Sequence, residues 1–169
     1  MAVITVDEAS NYLRMNLSSP ALDPGVLQGV IDTAEGVVAN IVGPLTTSTA
    51  VAVIQGGPTF VLPSWPVSAV SSITDSSGVT MTDGVELTRS GVIVAPGLPY
   101  GRYAITYVSG WATVPAAIRT AILEMVRHLW QPQRGSTTRG VDPSNQPPGY
   151  LIPNRVRELL DPYRMVSMA

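Results

Sequence analysis

The sequence predicts an α+β fold: a helical bundle with an inserted antiparallel β module and a C-terminal arm carrying a short helix. Three observations carry this reading. Two long segments, one in the first quarter and one after residue 110, place apolar residues at helical spacing between proline starts and glycine or proline stops. Between them, from Thr46 to Ser109, short β-branched runs alternate with Gly, Pro, Asp and Ser clusters, the pattern of short strands and turns. After them, Gln131 to Gly149 is rich in Pro, Gly, Ser and Thr and too polar to build a core of its own. The boundaries that follow are 1–43 and 111–131 for the bundle, 44–110 for the β module, and 132–169 for the linker and docking arm.

The first helix starts from a capping box, Thr5-Val6-Asp7-Glu8, in which Thr5 and Glu8 serve each other's backbone N–H. It runs to about Leu17, with Ala9, Tyr12 and Leu13 at helical spacing, and Ser18-Ser19-Pro20 ends it. Asp23 as N-cap and Pro24 at the first position open a second helix, which reaches about Val42 before Gly43-Pro44 stops it. Its apolar arc, from Val26 to Val42, is about 160° wide by the 100° per residue of a helix and too broad for one neighbour. Gly29, Thr33, Gly36 and Asn40 form a narrow strip of small residues on the other side.

Seven strands follow: Val51 to Ile54, Thr59 to Leu62, Val67 to Ile73, Val79 to Thr82, Val85 to Thr88, Val92 to Ala95, and Arg102 to Val108. Asp83-Gly84 predicts a hairpin because a type I′ turn needs φ > 0 at both central positions, and Ser90-Gly91 predicts another turn. Pro58, Pro63 and Pro66 predict edge positions and corners. Tyr103, Ile105 and Tyr107 share one face of the last strand, and the apolar character of both its faces predicts cover on both sides.

Val114-Pro115 starts the third long helix and Trp130-Gln131-Pro132 ends it. Ile118, Ala121, Ile122, Met125, Val126 and Leu129 fall on one arc, opposite Thr120, Glu124, Arg127 and Gln131. Leu123 and Trp130 form a second apolar strip beside Arg119 and Arg127. The last segment, Pro153 to about Tyr163, places Val156, Leu159, Leu160 and Tyr163 on one side of a helix too short to be stable alone. Arg157 and Asp161 can pair one turn apart.

Composition narrows the function. The chain has 169 residues, 45% of them hydrophobic and only 13% charged, an unusually small charged surface that predicts burial in an assembly. All ten basic residues are arginine, and there is no cysteine, which excludes disulfides, thiolate metal sites and cysteine nucleophiles. Residues 1–100 carry eight acids and two arginines and residues 101–169 four acids and eight arginines, so the net charge of −2 conceals a polar molecule. No apolar run approaches the roughly 20 residues of a membrane span, and the first residues lack the basic and apolar regions of a signal peptide, so the chain reads as made in the cytoplasm.

The residues argue against an enzyme. His128, the single histidine, follows Glu124 by four positions at a helix end, where the carboxylate and the helix dipole favour its charged form, but no nucleophile or metal cluster accompanies it. Asp32 with Glu35, and Asp83 with Glu86, read as solvated surface. No metal or cofactor site is expected. The arginines of the last third leave a nucleic-acid-binding module as the alternative from another class, through phosphates and without base readout. RGSTTRG lacks the aromatic interleaving of single-strand binders.

In VDEASNYLRM, DPGVLQGVIDTAEGVVANIVG, LPSWPVSAVSSITDSSG, and above all YAITYVSGW followed by VPAAIRTAILEMVRHLWQPQRG, the chain resembles the head-tail connector, or adaptor, proteins of tailed bacteriophages over about residues 3–135. The resemblance implies a non-enzymatic virion subunit without cofactor or metal, located at the neck. It also implies a ring of about twelve copies beneath the portal protein, a heterologous closed assembly. The ring would join the portal to a stopper or tail-completion protein, with genomic DNA passing through the lumen and no membrane partner; a stopper or tail-completion subunit is the alternative within virion proteins. Subunit or portal contacts are expected at Leu123, Arg127, Trp130, Arg134, Arg139, Arg155, Arg157, Leu160 and Tyr163, because an aromatic flanked by arginine is a common interface anchor.

Overall fold

A computed structural model of the chain describes residues 2–15, 24–81, 84–88, 92–133 and 152–164. These hold α1 (Val6–Leu13), α2 (Pro24–Val42), β1 (Ser48–Gly56), β2 (Thr59–Val61), β3 (Val67–Asp75), β4 (Thr80–Met81), β5 (Glu86–Leu87), β6 (Val92–Val94), β7 (Gly101–Ser109), α3 (Ala116–Gln133) and α4 (Asn154–Leu160), the last continued by a 3-10 turn, Asp161–Tyr163. The fold is α+β. The chain divides into two compact units, residues 1–38 with 115–164 and residues 39–114.

The first unit is helical. Thr5 caps α1, its hydroxyl accepting from Glu8 N–H at 3.1 Å. The reciprocal half of the expected capping box is absent, because the Glu8 carboxylate is taken by Arg119 of α3. The helix ends at Leu13, short of Leu17. Arg14 turns left-handed at φ 54°, donating its N–H to Asn11 O, while Met15 N–H reaches back to Ser10 O. This pair of bonds is a Schellman-type stop with arginine in the place usually held by glycine. Ile4, Leu27, Ile31, Ala34, Ile118, Ile122, Met125 and Val126 are fully or almost fully buried, each large aliphatic side chain contributing roughly 1.5–3 kcal/mol of transfer free energy.

α3 runs on to Gln133, just past the expected Trp130-Gln131-Pro132 stop. α4 packs on α3 and buries Val156 and Leu160 within the helical unit. A helix of seven residues persists because it lies on an apolar face. Asp161 pairs with Arg164, at 3.7 Å, and not with Arg157.

The second unit holds two antiparallel sheets, ordered β1-β7-β3-β4 and β2-β6-β5. Ala52, Ile73, Tyr103, Ile105 and Tyr107 of the first sheet share a core with Phe60, Leu62, Ile93, Ala95 and Leu98. All seven predicted strands have a described counterpart, but β4 pairs with β3 and β5 with β6, so the strands flanking the expected Asp83-Gly84 hairpin belong to different sheets; Asp83 itself, like Ser90-Gly91, lies outside the described residues. The tight hairpin is Asp75 to Val79, where the Asp75 carboxylate accepts from Ser77 N–H, Ser77 Oγ and Val79 N–H and Gly78 adopts φ 86°. Local side-chain bonding by aspartate specifies that turn. β7 is central and its Tyr103-Ile105-Tyr107 face is buried, yet Ala104, Thr106 and Val108 on the other face stay half-exposed, against the expectation of cover on both sides.

Two tryptophans hold the ends of this unit together. Trp111 donates its Nε1–H to Val42 O at 3.2 Å and meets the Trp65 ring edge-on, with centroids 5.5 Å apart at 90°. Gly43, at φ 81°, and Gly110, at φ 104°, make the close approaches. A Cβ on Gly43 would land on the Trp65 carbonyl, and one on Gly110 on the Thr46 carbonyl.

Candidate functional site

The sequence placed an adhesive strip on α3, and the structure divides it. Leu123 is half-buried and Arg127 is exposed, but Trp130 is only 8% exposed and takes an inward position that the sequence assigned to Leu129, which is half-buried. Leu160 is fully buried against the helical core. Trp130 and Leu160 are therefore not open anchors in the subunit: their apolar surface is already spent on intramolecular packing. Arg155 and Arg157 are exposed on α4 and Tyr163 is half-buried. Arg134 and Arg139 lie outside the described residues.

Where α1 and α3 end, a pocket of about 560 Å³ opens, lined by Tyr12, Leu13, Arg14, Arg127, Trp130 and Gln131. Tyr12, Leu13 and Trp130 line its apolar part and Arg14, Arg127 and Gln131 its polar part. No carboxylate is among these lining residues. Trp130 Nε1–H is buried with no acceptor among the described residues, an arrangement that costs about 1–3 kcal/mol. The Tyr12 phenol is pushed above its ordinary pKa, first by partial desolvation and then by hydrogen bonding to the Glu124 carboxylate and by that group's charge, with Arg155 and Arg127 opposing. Glu124 is in turn held by Arg155 Nε at 3.3 Å. Tyr12, Arg14 and Gln131 were not singled out by sequence reasoning: Tyr12 read as helix core, and an arginine in a left-handed cap carries no composition signal.

The arginines sort into two groups. Arg119, Arg155 and Arg164 are committed to Glu8, Glu124 and Asp161 within the subunit, while Arg14, Arg102, Arg127 and Arg157 are exposed with no ion pair among the described residues. Three of the described arginines are thus balanced within the subunit, which weakens the nucleic-acid reading. Glu35, read as solvated surface, instead accepts from Val3 N–H at 2.7 Å and Ile4 N–H at 2.9 Å. Glu124, the carboxylate one turn before His128, is engaged by Arg155 and Tyr12. Among the described residues no group of three or more His, Cys, Asp or Glu is placed to hold a metal ion, and no helix is long and apolar enough to cross a membrane.

The β unit offers a second surface. Among the described residues β1 bonds to β7 along one edge only, and its outward residues include Val51 and Val53, 67% and 57% exposed, opposite Thr106 and Ala104 of β7. All nine residues of β1 are uncharged. Long uncharged edge strands are normally blunted by charge, proline or a bulge because they template pairing with other chains.

Comparison with known proteins places these features in context. The family model described as HCP, head completion protein, matches residues 2–166. One chain in the neck of an empty GTA particle computed with C6 symmetry is similar in fold, with a TM-score of 0.67 and 18% identity, covering 98% of this chain and 91% of that one. A chain in the virion of a native gene transfer agent (GTA) particle is similar with the same TM-score and coverage at 17% identity. No curated protein sequence matches the chain.

Proposed function

The chain belongs to the head completion protein family, and from that premise we propose that it is a structural subunit of the neck of a phage-like particle, acting as the adaptor that forms a ring beneath the portal and joins it to a stopper or tail-completion protein. The observation that carries this reading is the family match over nearly the whole chain. A ring of about twelve copies is a multiple of six, consistent with the C6 symmetry applied to the similar neck. DNA would pass through the lumen without base-specific contact.

Physical features support an assembly role. The uncharged β1 edge, the exposed valines beside it and the open strip of Gly29, Thr33 and Gly36 on α2 are surfaces that a free subunit leaves unpartnered. Arg127 and Arg157 are the described arginines that we assign to contacts with neighbouring subunits or the portal; Leu123 and Tyr163 supply half-buried apolar surface nearby in sequence. Trp130 and Leu160 act indirectly, by shaping the helical face. The role is structural, as the family's description implies.

Co-expression with the portal protein of the same particle, followed by imaging of the purified complex, tests the proposal. A closed ring of this chain seated on the portal is expected. A chain that stays monomeric and leaves the portal bare at all concentrations would refute it.

A further inference from the structure

We infer that β1 of one copy of this chain pairs, in parallel, with the open edge of β3 in the next copy, so that the β1-β7-β3 sheets join into one belt around the ring. The inference rests on the ring reading above and specifies how neighbouring copies hold each other.

The free strand edges of the β unit are unequal. Among the described residues β2 has three residues, with Pro58 before it and Pro63 soon after, and β4 and β5 have two each. These are too short to dock a strand. β1 has nine residues, no charge, no proline and an unbroken register with β7 on its paired side. β3 is the other long edge. It also has nine residues, but β4 covers only Ile73 and Thr74, so Val67 to Ser72 have no strand on that side among the described residues. Ser68, Ala69 and Ser71 are exposed there. A groove of about 160 Å³ follows this edge from Ser68 to Ser72, lined also by Met81, Val85 and Leu87, with no charged residue in its lining. A row of unpaired backbone N–H and C=O groups is matched by another such row.

Symmetry selects the occupant. Each copy carries one edge of each kind, at opposite sides of one sheet, so a closed head-to-tail ring satisfies all of them with no edge left over. β1 and β3 both run antiparallel to β7 and therefore parallel to each other. Neighbouring copies in a ring of twelve differ by a rotation of about 30°, which does not reverse a strand, so the next copy's β1 keeps the direction of β3. An antiparallel β1–β1 pair needs a two-fold axis and stops at two copies. Side chains agree with this pairing. On the outward face β1 carries Val51 and Val53, 67% and 57% exposed, in line with Thr106 and Ala104 of β7. On the same face β3 carries Ala69 and Ser72, in line with Val108 and Thr106. Branched side chains at one edge and small ones at the other bury the valines without a clash.

The chain contains no cysteine, so an introduced pair reports only the contact it is placed to test. In the full chain, Val51→Cys or Val53→Cys is combined with Ala69→Cys or Ser72→Cys, and thermal melting checks that each double variant folds. Rings assembled with the portal protein are oxidised and run without reductant. At least one pair is expected to give a ladder of covalent oligomers up to the full ring, lost on reduction, while Val51→Cys and Val53→Cys alone give none. The double change Val51→Lys with Val53→Lys, which sets charge along the edge, is expected to raise the concentration needed for assembly roughly tenfold with little change in melting. Rings in which no pair links neighbouring copies, covalent dimers from either single β1 variant, or a double-lysine variant that assembles like the original would overturn the inference and leave the ring reading intact. Val51→Cys rings whose thiol stays open to a maleimide until the stopper protein is added would give the edge to that protein and overturn it too. If the original chain forms no ring, that reading fails and this one with it.

Discussion

One nitrogen of Arg119 lies 2.7 Å from both carboxylate oxygens of Glu8, and a second donates to Val3 O at 2.9 Å. With Glu35 accepting from Val3 and Ile4 N–H, the segment before α1 is gripped from α2 and α3 while Ile4 is fully buried. The ion pair is about a third exposed, so its Coulombic part is screened and its value lies mainly in the backbone contacts it organises. Arg119→Ala should lower stability by about 1–3 kcal/mol in urea unfolding. Arg119→Lys, unable to hold both partners in one fork, should recover less than half of that.

Glycines divide by backbone conformation. Gly43→Ala and Gly110→Ala combine positive φ with a Cβ aimed at a carbonyl, and each should cost at least about 2 kcal/mol by thermal melting. Gly36→Ala, in a helix with open space around the new methyl, should raise subunit stability by about 0.5–1 kcal/mol. If the small-residue strip of α2 packs in the ring, the same substitution will reduce assembly, and the two readouts will move in opposite directions.

Trp130→Ala and Arg127→Ala should separate stability from assembly. Trp130 is buried, and its truncation should cost about 3–5 kcal/mol. Arg127 is exposed, and its loss should change subunit stability by no more than about 0.5 kcal/mol. Equal melting curves for the two variants would contradict the placement of these side chains.

The β3–β4 turn should be sensitive to acid. Asp75 is held below its ordinary carboxylate pKa first by the Ser77 hydroxyl and then by the Val79 N–H. A lowered folded-state value means that its stabilising contribution is fully present above the ordinary value of 3.8 and is lost as pH falls through the folded one. Amide exchange at Ser77 and Val79 should accelerate in that window, and Asp75→Ala should show the faster exchange at neutral pH as well.

Much of this protein was legible in its residues because the signals are local. Pro24, Gly43 and Pro115 bracket helices by fixing or freeing φ, and β-branched runs between turn residues reveal all seven strands. The resemblance to neck proteins rested on such stretches too. Partnering was less legible. Asp83-Gly84 has hairpin chemistry, but sheet membership is decided by which edges compete for β4 and β5, and those edges come from distant residues.

What the sequence by itself determined is the order and type of the elements and the α+β class, since propensity and periodicity act over a few residues. Only the tertiary structure decided that Trp130 turns inward while Arg127 stays out, that Glu35 grips a backbone and that α4 lies on α3. It also brought Tyr12, Arg14 and Arg127 around one pocket. The physical reason is that burial and polar satisfaction are settled between elements far apart in the chain, where hydrophobic area and unpaired hydrogen bonds outweigh the facial pattern of any single helix.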